Sequence, residues 1–105
     1  MRKDKQERLE AGGWRFGSAA DFLALTSEEA AFVETKLALS HSLRARRTAQ
    51  HLSQSALAKR LHSSQSRIAK MEAADPTVSI DLLLQALFAL GAQPHDVARA
   101  IRKRP

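Results

Sequence analysis

The sequence has no cysteine. Disulfides and thiolate metal sites are therefore excluded, and the chain suits a reducing compartment. No apolar run approaches the roughly 20 residues that a transmembrane helix needs. The N-terminus, MRKDKQERLEAGG, is charged and no apolar stretch follows it, which excludes a secretory signal. A soluble cytoplasmic protein without membrane contact is expected. Catalytic signatures are missing too: no Gly-x-Ser-x-Gly elbow, no phosphate loop and no carboxylates paired for acid–base work. His41, His51, His62 and His95 share no face at ligand spacing. Neither a metal site nor a cofactor is called for, and no enzyme is expected.

What is present is a small core and a concentrated charge. Apolar residues make up 44% of the 105 residues, enough for one compact domain. The net charge of +6 is unevenly spread. Residues 44–75 hold 7 Lys/Arg against 2 Asp/Glu, residues 1–43 hold 6 against 7, and residues 76–105 hold 4 against 2. A focused basic zone suits a polyanion such as nucleic acid. A solvated basic face serving solubility accounts for the charge equally well.

Helix signals dominate the chain, and nothing alternates with period two long enough for a strand. Residues 1–13 read as a flexible basic and polar tail ending in Gly12-Gly13. Residues 14–26 read as an N-terminal extension, with Ser18 capping a short helix over 19–25. Thr26 and Glu29 have capping-box form. The run from 27 to about 50 lacks Gly and Pro, which predicts one long helix with Phe32, Leu39 and Leu43 as its core stripe. Ser53 caps a helix over about 54–61, and Ser64 caps another over about 65–72. Pro76 sets a loop. Ser79 then caps IDLLLQALFAL, which Gly91 closes, and Pro94 opens a last helix over about 95–103.

The stretch SSQSRIAKMEAAD, residues 63–75, offers little core. Ile68 and Met71 face one way on its helical wheel, while Ser66 and Lys70 face the other. Gln65 and Arg67 flank them near the helix start. That start presents unpaired N–H groups and partial positive charge to an anion. Gln pairs bidentately with adenine in the major groove, and Arg or Lys with guanine. The plainer reading, an ordinary amphipathic surface helix, fits the same wheel. The preceding helix ends at Leu61, so only His62 and Ser63 separate the two. A turn this tight forces a large angle and needs a residue that tolerates left-handed backbone.

The run LRARRTAQHLSQSALAKRLHSSQSRIAKMEAADPTVSIDLLLQALFALG, residues 43–91, resembles a known family. It is similar to the helix-turn-helix domain of the xenobiotic-response-element class of bacterial regulators, with the Cro and lambda-repressor-like fold. The pattern is Leu-Arg-x-x-Arg, then Leu-Ser-Gln-x-x-Leu-Ala, then Ser-Gln-Ser-x-Ile-x-x-x-Glu, then an apolar helix. The chain also resembles small antitoxin-like regulators in which such an N-terminal segment precedes the domain. The resemblance implies an all-α, five-helix domain over 27–105, with its motif at about 53–72 and a short N-terminal helical extension. It implies a transcriptional regulator, a dimeric repressor bound to double-stranded DNA in a bacterial cytoplasm and nucleoid, or an antitoxin that binds a toxin and represses its own operon. A protein- or RNA-interaction module on the same fold is the remaining alternative.

Site roles follow from the resemblance by position. Gln65, Ser66, Arg67 and Lys70 are the expected base contacts. Ser53 and Gln54 are the expected phosphate contacts, and the basic residues Arg44, Arg46, Lys59 and Arg60 are expected, by their charge, to hold the DNA backbone. Arg47 and Glu72 match a structural ion pair. His51, His62 and Ala74 stand where the family favours glycine, and Ala74 leads us to expect a different end to the recognition helix. In the fourth helix, Ile80, Leu83, Leu84, Leu87 and Leu90 form a core face, while Leu82, Ala86 and Ala89 lie off it and Phe88 at its edge. Leu82 and Phe88, with Trp14 and Phe16, are candidates for a dimer or partner surface. Cover over the neighbouring helices is the alternative for each.

Overall fold

The computed structural model describes residues 26–102. The expected tail, the helix over 19–25, Trp14 and Phe16 lie outside them. The chain divides into two compact units, Met1–Glu34 and Thr35–Pro105. The described residues hold five helices and no strand: α1 Ser27–Ala49, α2 Gln54–Arg60, α3 Gln65–Glu72, α4 Ile80–Ala89 and α5 Pro94–Arg102.

Local chemistry sets each start. The Thr26 N–H donates to Glu29 Oε1 at 2.8 Å, and the Glu29 N–H donates to Thr26 Oγ1 at 3.1 Å. This reciprocal box satisfies two donors that the first turn of α1 would otherwise leave open. Ser53, Ser64 and Ser79 cap α2, α3 and α4 by accepting from the N–H groups of Ala56, Arg67 and Leu82. Each such cap stabilises its helix by about 1 kcal/mol. Before α5, the Gln93 N–H donates to Asp96 Oδ2 at 2.8 Å, and Pro94 occupies the first helical position.

Four of the helices end alike. The residue after each cap is left-handed: His51, His62, Ala74 and Gly91 have φ of 57°, 54°, 55° and 93°. The next N–H then folds back over the last turn. Leu52 donates to Arg47 O at 3.1 Å, Ser63 to Ala58 O at 2.8 Å, Asp75 to Lys70 O at 3.0 Å and Ala92 to Leu87 O at 3.0 Å. This is Schellman closure. The expectation that Ala74 diverts the end of α3 is therefore corrected. Ala74 takes the glycine-like conformation, and the closing bonds hold it there against a penalty of about 1–2 kcal/mol.

The core of the second unit gathers Leu39 and Leu43 of α1, Leu57 and Ala58 of α2, and Ile68 and Met71 of α3. Val78, Leu83, Ala86, Leu87, Leu90 and Ala92 complete it, with Val97 and Ile101 of α5 packed alongside. Two expectations change here. Phe32 is 55% exposed and is not a core residue, because the core takes Leu39 and Leu43 from α1 and Phe32 lies two turns earlier. Ala86 is 1% exposed although the wheel put it off the core face. It borders a groove with Leu61, Met71 and Leu82, so the helix-turn-helix unit covers a second side of α4.

Candidate nucleic-acid interface

The sequence between α2 and α3 is short, and geometry follows from that. With His62 left-handed, the chain passes from α2 to α3 in four residues, the caps Leu61 and Ser64 included, and the two helices pack against each other. Ile68 and Met71 are 0% and 3% exposed, so two side chains dock α3. Burying them contributes roughly 1.5–3 kcal/mol each. The remaining face of α3 is then free to be polar. Gln65, Ser66, Arg67 and Lys70 are all exposed.

These side chains do not form one uniform row. Ser66, Arg67 and Lys70 line a shallow pocket of about 310 Å³ with Ser64, Thr77 and Val78. Gln65 turns instead toward α2, and its Nε2 donates to Gln54 Oε1 at 2.6 Å. Arg67 also borders the groove formed by Leu61, His62, Ser63, Met71, Leu82, Gln85 and Ala86. Ser66, Arg67 and Lys70 thus share one exposed surface, and Gln65 stands apart from them toward α2. Thr77 joins them from the α3–α4 loop. Sequence reasoning missed it, because its place depends on how that loop folds.

The Gln65 amide is the outer end of a relay. Gln54, half-buried, accepts from Gln65 and donates through Nε2 to Glu72 Oε1 at 3.1 Å. Glu72 is held in turn by Arg47, whose Nε and Nη2 donate to Oε2 and Oε1 at 2.5 and 3.0 Å. The Arg47 Nη1 donates to Leu52 O at 2.7 Å. The side chains of Arg47 and Glu72 are 11% and 5% exposed. Burial pushes the Glu72 carboxyl up. The hydrogen bonds from Arg47 and Gln54, with the charges of Arg47 and Arg44, outweigh it and hold the group below its ordinary range. The carboxylate stays ionised, so it fixes which way the Gln54 amide points. That orientation leaves the Gln65 carbonyl oxygen and second N–H for another partner.

The other expected contacts are distributed around this relay. Arg44 and Lys59 are exposed, Ser53 is exposed with its hydroxyl engaged in the α2 cap, and Gln54 is the half-buried link. Charge at the helix starts separates the five helices into two groups. The first turns of α1, α4 and α5 carry Glu28 and Glu29, Asp81, and Asp96. The first turns of α2 and α3 carry no acidic residue. No first-turn carboxylate therefore offsets their positive dipole ends. Leu82 is half-buried against the core, whereas Phe88 is 47% exposed. Among the described residues no group of three or more His, Cys, Asp or Glu could hold a metal, and no helix is long and apolar enough to cross a membrane.

A family model described as "Helix-turn-helix domain" matches residues 38–100. The chain belongs to that helix-turn-helix family. Membership supports DNA binding by a small transcription regulator. The match spans the second half of α1 through most of α5 and so contains the relay, both motif helices and the α3–α4 loop. No curated protein and no solved structure matches the chain.

Proposed function

We propose that this helix-turn-helix protein is a sequence-specific transcription regulator, a homodimeric repressor that reads its operator with α3. The observation that carries the reading is the pairing of two helix starts free of acidic residues with an exposed, polar and cationic α3 face. The starts of α2 and α3 suit phosphate, with Ser53, Gln54, Arg44 and Lys59 as backbone contacts. The α3 face enters the major groove. There Gln65, pre-oriented by Gln54 and Glu72, suits adenine, and Arg67 and Lys70 suit guanine. Ser66 is small enough to let the helix come close. Repression follows from occupying a promoter and excluding polymerase.

One such motif reads few base pairs, so dimerisation supplies the missing specificity. The exposed Phe88 on α4 supports a second copy as the partner. Two copies would place half-sites about 34–36 Å apart. Selection of bound duplexes from a random library tests the whole reading. The expected result is an inverted repeat with half-sites about one helical turn apart, bound by two copies. No enrichment at all would refute operator reading. An unsymmetrical site bound by one copy would refute the homodimer and favour a different protein on Phe88, as in an antitoxin.

A further inference from the structure

Lys36 is a lysine in an unusual place. It lies on α1, yet it is 8% exposed. Its Nζ donates to Asp75 O at 2.8 Å, across 39 residues of sequence. Lysine loses much rotamer freedom when fixed, so a lysine held in a buried position needs a structural return.

The residue it grips is the junction between α3 and α4. The Asp75 N–H closes the end of α3 onto Lys70 O at 3.0 Å. The Asp75 carbonyl also accepts from the Val78 N–H at 3.0 Å, closing a turn with Pro76 at its second position. The Asp75 carboxylate accepts from the Thr77 N–H at 2.8 Å and from the Thr77 hydroxyl at 2.6 Å. The hydrogen bonds from Thr77 hold the Asp75 carboxyl below its ordinary range, helped by the charges of Lys70 and Lys36. One residue therefore ends the recognition helix, starts the next turn and anchors Thr77. Lys36 takes the second lone pair of its carbonyl and ties this junction to α1.

Two cations of α1 thus hold the same end of α3 by independent routes. Arg47 does so through Glu72, and Lys36 does so through the backbone of Asp75. We propose that Lys36 is a positioning residue for DNA reading, setting the tilt of α3 and the edge formed by Lys70 and Thr77. This rests on the reading of α3 as the helix that enters the groove. The Lys36 ammonium is committed to the Asp75 carbonyl, so it is not counted among the phosphate contacts. Its loss should change discrimination between sequences and leave the electrostatic part of binding in place.

The test measures binding of the full chain to its selected operator and to random duplex across a salt series. Wild type, Lys36→Met and Lys36→Arg are compared below their melting temperatures. If Lys36→Met fails to fold, Lys36→Gln, which keeps a donor without the charge, takes its place. We expect the operator preference to fall roughly tenfold in Lys36→Met, with the salt slope and random-duplex affinity unchanged. Lys36→Arg should restore most of the preference. Amide exchange at Val78 should quicken in Lys36→Met, since the turn loses its tether. Unchanged preference in Lys36→Met, or an equal loss on operator and random duplex, would overturn the role of Lys36 while leaving the α3 reading standing. A wild-type protein that prefers no duplex would overturn both.

Discussion

Replacing Arg47 with methionine removes three hydrogen bonds and one buried charge while keeping most of the side-chain volume. Two of those bonds hold Glu72, at 2.5 and 3.0 Å, and the third caps Leu52 O at 2.7 Å. Glu72 is left 5% exposed at its side chain, with Gln54 as its remaining partner. Breaking a buried pair from one side costs about 3–5 kcal/mol. A small domain has about 5–15 kcal/mol of stability in all. The double variant Arg47→Met/Glu72→Leu removes both charges, so it should lose about 2–3 kcal/mol less than the two single losses added together. Urea denaturation followed by circular dichroism measures all four proteins, with an unchanged denaturant slope as the check on two-state behaviour. The pH dependence sharpens the case. In the wild type the folded pKa of Glu72 lies below its ordinary 4.5, so its contribution is full above about pH 4.5 and is lost as pH falls through the folded value. In Arg47→Met burial dominates and raises that pKa, so the variant's deficit should be largest at neutral pH and shrink as Glu72 protonates. Additive losses, with coupling under about 0.5 kcal/mol, or a deficit independent of pH, would refute the reasoning.

Two further substitutions probe the parts around this pair. Ala74→Gly should stabilise the protein by about 1 kcal/mol, because Ala74 has φ of 55° and glycine removes the Cβ penalty there. The melting temperature should rise by about 4–8 °C, and a fall would mean that Ala74 is not left-handed in solution. Gln54→Ala should lower operator preference through Gln65, beyond the uniform loss of one phosphate contact on operator and random duplex alike, since it cuts the relay at its middle. A binding assay on operator and random duplex reads this, and equal weakening on both would sink the relay.

Local signals were legible in the sequence, because their partners lie within one turn. The Thr26–Glu29 box and the serine caps at positions 53, 64 and 79 each join residues three apart. The left-handed His51 and His62 stand where the helix-turn-helix resemblance placed glycine. Ala74 was misjudged because a propensity argument weighs one residue, while Schellman closure weighs several bonds at once. Phe32 and Ala86 failed for a different reason. A helical wheel gives the face of a helix but not where its neighbours begin and end. The contacts hardest to foresee span the greatest separations: Lys36 to Asp75, and Gln50 Nε2 to Leu90 O at 2.7 Å, 40 residues apart. Both join a side chain to a backbone carbonyl, and a carbonyl carries no signature in the sequence.

The claim that α3 reads base sequence is tested most directly at Gln65. Binding of wild type and Gln65→Ala is measured on the selected operator, on each single-base variant of it, and on random duplex. The account predicts a loss of about 1–3 kcal/mol of discrimination at one base pair per half-site, with random-duplex affinity and salt slope unchanged. Equal weakening on every duplex, or full discrimination retained at every position, would contradict it.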